Sequence, residues 1–275
     1  MKSPEKRRVV YTTNFNNYDS LKPINFVSDI EFICFSDNKN LKTKGWKQIY
    51  FNDKNLSIVE KTRKIKLFPH YFLKDIEESL YVDGNISINK DPTYLFDKYL
   101  NNKNSLAIAK HPLRDCLFEE AEYLLNSNWF SKNQKLKLVL QLKKYKKIKM
   151  PRNFGLTENN IILRVNNAYQ NKLMSELWWN EFINGCYRDQ KSLPYIIWKN
   201  NIEYKTIVES PRYYNEYFNY HLHKKNISDS KLRNFMKLIT IRSKQNISYR
   251  IIYLFLNFLI NLSKFYVYKL NKNGI

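Results

Sequence analysis

The chain has 275 residues, 43% hydrophobic and 16% aromatic with only 5 Gly and 8 Pro, which excludes a disordered or fibrous polypeptide and fits one large domain with an appendage. Its 47 Lys and Arg outnumber 25 Asp and Glu for a formal net charge of +22, so a polyanionic partner is expected: phosphorylated ligands, an anionic membrane surface or nucleic acid. Cys34, Cys116 and Cys186 are scattered and form no CxxC pair, which fits reduced buried thiols rather than a disulfide framework or a zinc site.

The N-terminus is basic but has no apolar run, so no secretory signal is read and a domain active in the cytosol is expected. Residues 9–12 read as a first buried strand, residues 30–35 as a second and residues 46–51 as a short third. Over residues 59–73, Ile65, Phe68 and Phe72 recur at helical spacing among Lys61, Arg63, Lys64 and Lys66, which predicts a basic helix. The chain is organised around Leu80-Tyr81-Val82-Asp83-Gly84-Asn85-Ile86-Ser87-Ile88, where an apolar strand ends in a carboxylate beside a glycine and an amide. Asp-Gly between two apolar runs is a hairpin signal. A strand-end carboxylate is equally a place to hold Mg²⁺ or Mn²⁺ against a diphosphate, because hard cations take oxygen ligands from one or two carboxylates plus substrate phosphates.

Residues 107–109 predict a further strand, residues 116–126 a helix, and residues 134–148 a long basic helix that stops before Pro151. Residues 153–160 read as a loop leading into a strand at 161–164, and helices follow over 172–184 and 188–198. This alternation predicts an α/β sheet whose loops at the strand C-termini form the site, with Asp19, Asp37 and Asp83 on that one edge. Residues 251–262 are almost wholly apolar, yet short of the roughly 20 residues of a membrane-spanning helix. Arg250, Asn257, Asn261, Lys264 and Asn271 fall on one helical stripe, and Lys231, Arg233, Lys237, Arg242 and Lys244 lie just upstream. Together they predict an in-plane helix at an anionic membrane surface; the alternative is a helix packed on the domain's own core.

The ordered segments YTTNFNNYD at 11–19, FICFSDN at 32–38, TRKIKLFPH at 62–70, YVDGN at 81–85, KHPLRDCLFEEA at 110–121, MPRNFGLTENNIILR at 150–164, WWNE at 178–181 and RDQKSLPY at 188–195 carry a resemblance. They resemble the glycosyltransferase-like family first catalogued as a domain of unknown function, with plant members tied to pectin and mucilage synthesis and bacterial members among capsule and lipopolysaccharide enzymes. The resemblance covers roughly residues 8–200 and implies a GT-A-like α/β fold, a Rossmann-type sandwich with a mixed central sheet, in a domain drawn over residues 1–225; the tail over 226–275 is unmatched and is read from its own pattern as amphipathic helices. It also implies a nucleotide-sugar donor, a glycan or lipid-linked acceptor, and a divalent cation, Mn or Mg. The Asp-x-Asp motif of such enzymes reads Asp83-Gly84-Asn85 here, one carboxylate short. The implied metal ligands are Asp83 and Asn85; past the matched region, His221 and His223 at a spacing of two offer a later ligand.

By the same resemblance Thr12, Asp19 and Asp37 line the nucleotide pocket, while Arg63 and Lys66, three apart on one helix face, hold the diphosphate. His111 and Arg114 belong to a sugar-binding loop, and Glu158, Arg164, Trp179 and Glu181 face the acceptor. Asp189 and Gln190 form the reacting centre, Asp189 as general base if configuration inverts and either one as transition-state stabiliser if it is retained. Two other readings are a scaffold that has lost catalysis, motivated by the missing carboxylate, and a basic protein binding single-stranded nucleic acid through interleaved aromatics. Nucleic acid is not the expected partner, because carboxylates gather at the strand ends and no zinc-finger or helix-turn-helix signature is present. The expected location is the cytoplasm, peripheral on the inner face of the plasma membrane.

Overall fold

The computed structural model describes residues 6–127, 130–223, 231–243 and 246–272. The strands are β1 (Arg8–Thr13), β2 (Glu31–Ser36), β3 (Lys47–Tyr50), β4 (Glu78–Val82), β5 (Ile86–Ile88), β6 (Leu106–Lys110), β7 (Thr157–Val165), β8 (Lys205–Ile207) and β9 (Phe218–Tyr220). The helices are α1 (Ile58–Leu67), α2 (Pro69–Phe72), α3 (Thr93–Tyr99), α4 (Leu117–Leu125), α5 (Lys132–Lys147), α6 (Tyr169–Asn184), α7 (Asp189–Lys199), α8 (Lys231–Arg242) and α9 (Ile247–Lys272).

Seven strands form one sheet in the order β3-β2-β1-β4-β7-β6-β8, and β7 runs antiparallel to both of its neighbours while the other pairings are parallel. Burial on both faces explains the near-continuous apolar runs of the central strands. Along them, alternate side chains serve opposite layers. Val9, Tyr11, Ile33, Tyr81 and Ile162 face Ile65 of α1, Met174 and Trp178 of α6, and Leu193 and Ile196 of α7. Val10, Phe32, Leu80, Ala107 and Leu163 face Leu95 and Phe96 of α3 together with Ile86, Ile88 and Phe218 of a second, two-stranded sheet, β5-β9. The result is an α/β sandwich with a mixed, mostly parallel sheet, as the sequence predicts.

Three local expectations change. The helix predicted over residues 59–73 is two helices, because Phe68 precedes Pro69 and leaves the helical region at φ −114°, ψ 56°. Asp83-Gly84 does not close a hairpin: Ile86 N donates to Asp83 O at 3.0 Å, but β5 pairs with β9, so this turn carries the chain from one sheet to the other. The loop expected over residues 153–160 becomes strand from Thr157, whose polar TENN start is buried with the rest of β7.

The three cysteines are free and buried. On α9 the side chains of Ile251, Phe255 and Phe258 are 63%, 60% and 60% exposed, so this helix is not packed on the domain core along that face. Among the described residues no helix is long and apolar enough to cross a membrane. Lys244 lies outside the described residues, and Lys231, Arg233 and Lys237 are described in backbone only.

Candidate active site

Antiparallel β7 brings its N-terminal end to the edge where parallel β1 and β4 end. Val82 pairs with Ile161, and Asp83 N donates to Asn160 O at 2.8 Å. On the other side of β7 the register slips: Ile108 faces Ile162, but Ala109 faces Glu158, so residues 159–161 have no partner on β6. Such bulges re-aim side chains and concentrate beside active sites. Here Glu158, Asn159 and Asn160 line a cavity of about 320 Å³. Thr13 at the end of β1 and Tyr18 and Asp19 after it, Asp83 and Gly84 after β4, and Arg188, Asp189 and Gln190 at the start of α7 complete much of its wall.

Helix α1 supplies one whole face through Ile58, Val59, Thr62, Arg63 and Lys66. The Ser57 hydroxyl and Glu60 carboxylate form a reciprocal capping box at its start. At its end three groups grip the last carbonyls. Arg164 Nη2 donates to Lys66 O at 2.9 Å, Tyr11 OH to the same oxygen at 3.1 Å, and Ser175 Oγ to Leu67 O at 2.5 Å. Arg164 is therefore a positioning residue within the core rather than a sugar ligand, and it does not line the cavity.

Asp189 is the electrostatic centre. Its carboxylate lies 2.9 Å from Lys66 Nζ and 3.2 Å from Arg63 Nε, and its backbone oxygen accepts from Trp178 Nε1 at 2.8 Å. Burial pushes this carboxyl up, but Arg63 and Lys66 outweigh burial and hold it well below the usual carboxylate range. The start of α7 favours the same charged form. Lys66 also reaches Asp83 Oδ1 at 3.6 Å and lies over the Tyr81 ring, whose hydroxyl donates to Asp83 Oδ1 at 2.9 Å.

Glu158 contrasts with Asp189. Burial lifts its carboxyl above the ordinary value against the pull of the Arg212 guanidinium, with Asp83 adding to the rise. Arg212 Nε pairs with Glu158 Oε1 at 2.6 Å, while Oε2 is buried without a hydrogen-bond partner. The side-chain amides of Asn159 and Asn160 and Nε of Arg188 are likewise buried and unpartnered. Buried polar groups are nearly always paired in folded proteins. Several unpaired on one cavity wall are groups whose partners arrive with whatever fills the cavity.

The cation set implied by the resemblance is not assembled. The Asn85 amide donates to His221 O at 2.6 Å, His221 Nε2 meets Ser87 Oγ at 3.0 Å, and neither residue lines the cavity. His223 does line it, with Nδ1 at 2.9 and 3.1 Å from the two Asp19 oxygens. Among the described residues no group of three or more His, Cys, Asp or Glu side chains is placed to hold a metal ion. Asp19 and Asp83 line the cavity without a preassembled third ligand beside them among the described residues, and Arg63, Lys66, Arg188 and Arg212 bring positive charge to the same cavity.

Asp19, Arg63, Lys66, Asp83, Glu158, Asp189, Gln190 and His223 thus line one cavity. Other expected residues do not. Thr12 is buried in β1 and its neighbour Thr13 faces the cavity. Asp37 accepts from Asn16 N at 2.9 Å and secures the turn after β1. His111 Nδ1 accepts from Arg114 N at 3.0 Å, and burial pushes its pKa down to about 4, which suits a neutral turn acceptor. Arg114 pairs with Glu120 and lies over the Tyr123 ring, away from the cavity. Trp179 packs on Phe68 and Phe182, while Glu181 accepts from Tyr145 OH at 3.0 Å and pairs with Lys144, tying α6 to α5. Arg188, Arg212, Asn159, Asn160 and Tyr18 were not singled out in the sequence. For the two asparagines a signal existed: consecutive polar residues opening an otherwise apolar strand.

A Rossmann-like sandwich with a polar, cation-rich cavity at the sheet edge places the chain among the α/β proteins that bind ligands where the strands end. The chain matches the family model described as TOD1/MUCI70, glycosyltransferase-like domain, over residues 4–218, and it belongs to that family. A search of curated proteins found no match.

Proposed function

We propose that the protein transfers a glycosyl group from a nucleotide-sugar donor to a hydroxyl of a growing surface polysaccharide or lipid-linked glycan, of capsule or lipopolysaccharide type. The observation that carries this is the cavity wall on which Arg63, Lys66, Arg188 and Arg212 converge with unpartnered amides of Asn159 and Asn160. Guanidinium and ammonium groups are suited to a diphosphate, and in a recessed site they stabilise charge as it develops. Tyr18, Ile58 and Val59 give the cavity an apolar end for a nucleobase.

In the transfer, the bond between the sugar C1 and the phosphate oxygen breaks and its electron pair leaves with the nucleoside diphosphate. Arg63, Lys66 and Arg188 offset that charge. A bond forms between C1 and the acceptor oxygen, whose proton passes to Glu158 Oε2. Glu158 suits this better than Asp189, because a carboxyl lifted toward neutrality is the stronger base. Asp189 holds Arg63 and Lys66 in place.

The proposed working position is the cytoplasmic face of an anionic membrane. The exposed Ile251, Phe255 and Phe258 of α9 support it, since an amphipathic helix enters the lipid boundary through its apolar face. Flotation with phosphatidylglycerol vesicles is expected for the full chain and lost in Phe255→Glu/Phe258→Glu.

Calorimetric titration with UDP, GDP, CDP and ADP tests the donor site. One of them is expected to bind, and more than about tenfold weaker in Arg63→Gln, as for a lost charge-assisted contact. Absence of binding by all four would overturn the reading.

A further inference from the structure

A second cavity, of about 450 Å³, lies between the segment before β9 and the two C-terminal helices. Its volume is within the range of about 300–1,000 Å³ common for small-molecule sites. Tyr213, Tyr214 and Tyr220 line it from one side, Arg242 and Tyr249 from the other. Arg212 lines both cavities, and its guanidinium lies 3.8 Å from the Tyr220 ring centroid while its Nε pairs with Glu158. A ligand seated here therefore meets Arg212, the side chain that pairs with the carboxylate proposed to take the acceptor proton.

We infer that this cavity is the acceptor subsite and that it takes pyranose units of a glycan. The inference rests on the proposed transferase reading for the word acceptor, but the carbohydrate chemistry stands on the lining itself. Tyrosine offers a flat apolar face for sugar CH groups and a hydroxyl rim for sugar hydroxyls. Arg212 is charge-paired with Glu158, and Arg242 Nη1 donates to Tyr249 OH at 3.0 Å, so both guanidiniums are held in place as hydrogen-bond donors at the rim of the aromatic lining. The residues the sequence offered for the acceptor point the same way. His111, Arg114, Trp179 and Glu181 are all consumed by internal contacts, so the aromatic platform for a sugar is here instead.

Saturation-transfer NMR on the full chain with p-nitrophenyl pyranosides of glucose, galactose, mannose and N-acetylglucosamine tests this, with nucleoside diphosphate titration as a separate readout. At least one pyranoside is expected to bind. Tyr214→Ala and Arg242→Gln are each expected to weaken it at least about fivefold, the scale of a stacked or hydrogen-bonded contact, while nucleotide binding is unchanged. Pyranoside binding that ignores both variants, that nucleotide displaces, or that is missing altogether would overturn the inference. Pyranoside binding by a protein to which no nucleoside diphosphate binds would support the carbohydrate cleft and sink the transferase reading alone.

Discussion

Replacing Asp189 by Asn keeps the shape of the side chain and the backbone oxygen that Trp178 uses, but removes the charge between Lys66 and Arg63. Lys66 is 3% exposed at its side chain, so its ammonium cannot turn to water for compensation. Breaking a buried pair by removing one partner costs about 3–5 kcal/mol, because the remaining charge is left desolvated. For a chain of this size each kcal/mol lowers the unfolding temperature by roughly 2–4 °C, so the variant should melt about 6–20 °C below the wild type. Asp83, 3.6 Å from Lys66, places the expectation toward the lower end of that span. Thermal unfolding followed by circular dichroism measures it. A nucleoside diphosphate should then raise the melting temperature of Asp189→Asn more than that of the wild type, since its phosphates supply the missing anion. A variant melting within about 2 °C of the wild type, and gaining nothing extra from nucleotide, would refute the assignment of Asp189 as anchor of a buried cation pair.

The remaining predictions are briefer. Nucleoside diphosphate affinity, read by calorimetry, should change less than about threefold between Mn²⁺ and EDTA, because side-chain cations rather than a carboxylate-held metal meet the diphosphate; a tenfold loss in EDTA would contradict this. Glu158→Gln should lower kcat by about 10²–10⁴-fold with donor affinity retained. In the wild type the rate should rise with pH as Glu158 loses its proton, with a midpoint above the ordinary carboxylate value of about 4.3. Lys191 is buried beside Glu120, and burial pushes its pKa down from 10.5 to about 7. Between those values the unfolded chain binds the additional proton, so stability should rise with pH across that window, by up to about 1.4 kcal/mol per unit. Urea unfolding of Lys191→Met at pH 7 to 10 should lack that rise.

The sheet was legible because each central strand is buried on both faces and spells an apolar run, as in Val9-Val10-Tyr11 and Leu80-Tyr81-Val82. The carboxylate edge of the cavity followed from the same logic, since strand ends in such sheets converge on one edge and put Asp19 and Asp83 there. The antiparallel sense of β7 was not legible. Nothing in IILR specifies direction, so its polar start was read as loop and Asn159 and Asn160 were missed. Four residues expected to face the sugar or the acceptor, His111, Arg114, Trp179 and Glu181, lie away from the cavity for a different reason. His111, Arg114 and Glu181 are residue types that serve turns and ion pairs as readily as sugars, and only their partners in space decide. Arg212 lies on an irregular segment whose path depends on the small sheet, beyond what spacing conveys.

Lys66 and Asp189, the pair at the centre of the cavity, are 123 positions apart in the chain. Closing so long a loop costs entropy before any contact offsets it, and such contacts form late. A chain emerging from the ribosome presents Arg63 and Lys66 without their closest carboxylate, that of Asp189, until α7 arrives. On the proposed reading a nucleotide has nothing to grip on that half-made molecule, so it would leave the folding rate alone and slow unfolding of the finished one, and donor supply would set how long each molecule lasts rather than how readily it is made.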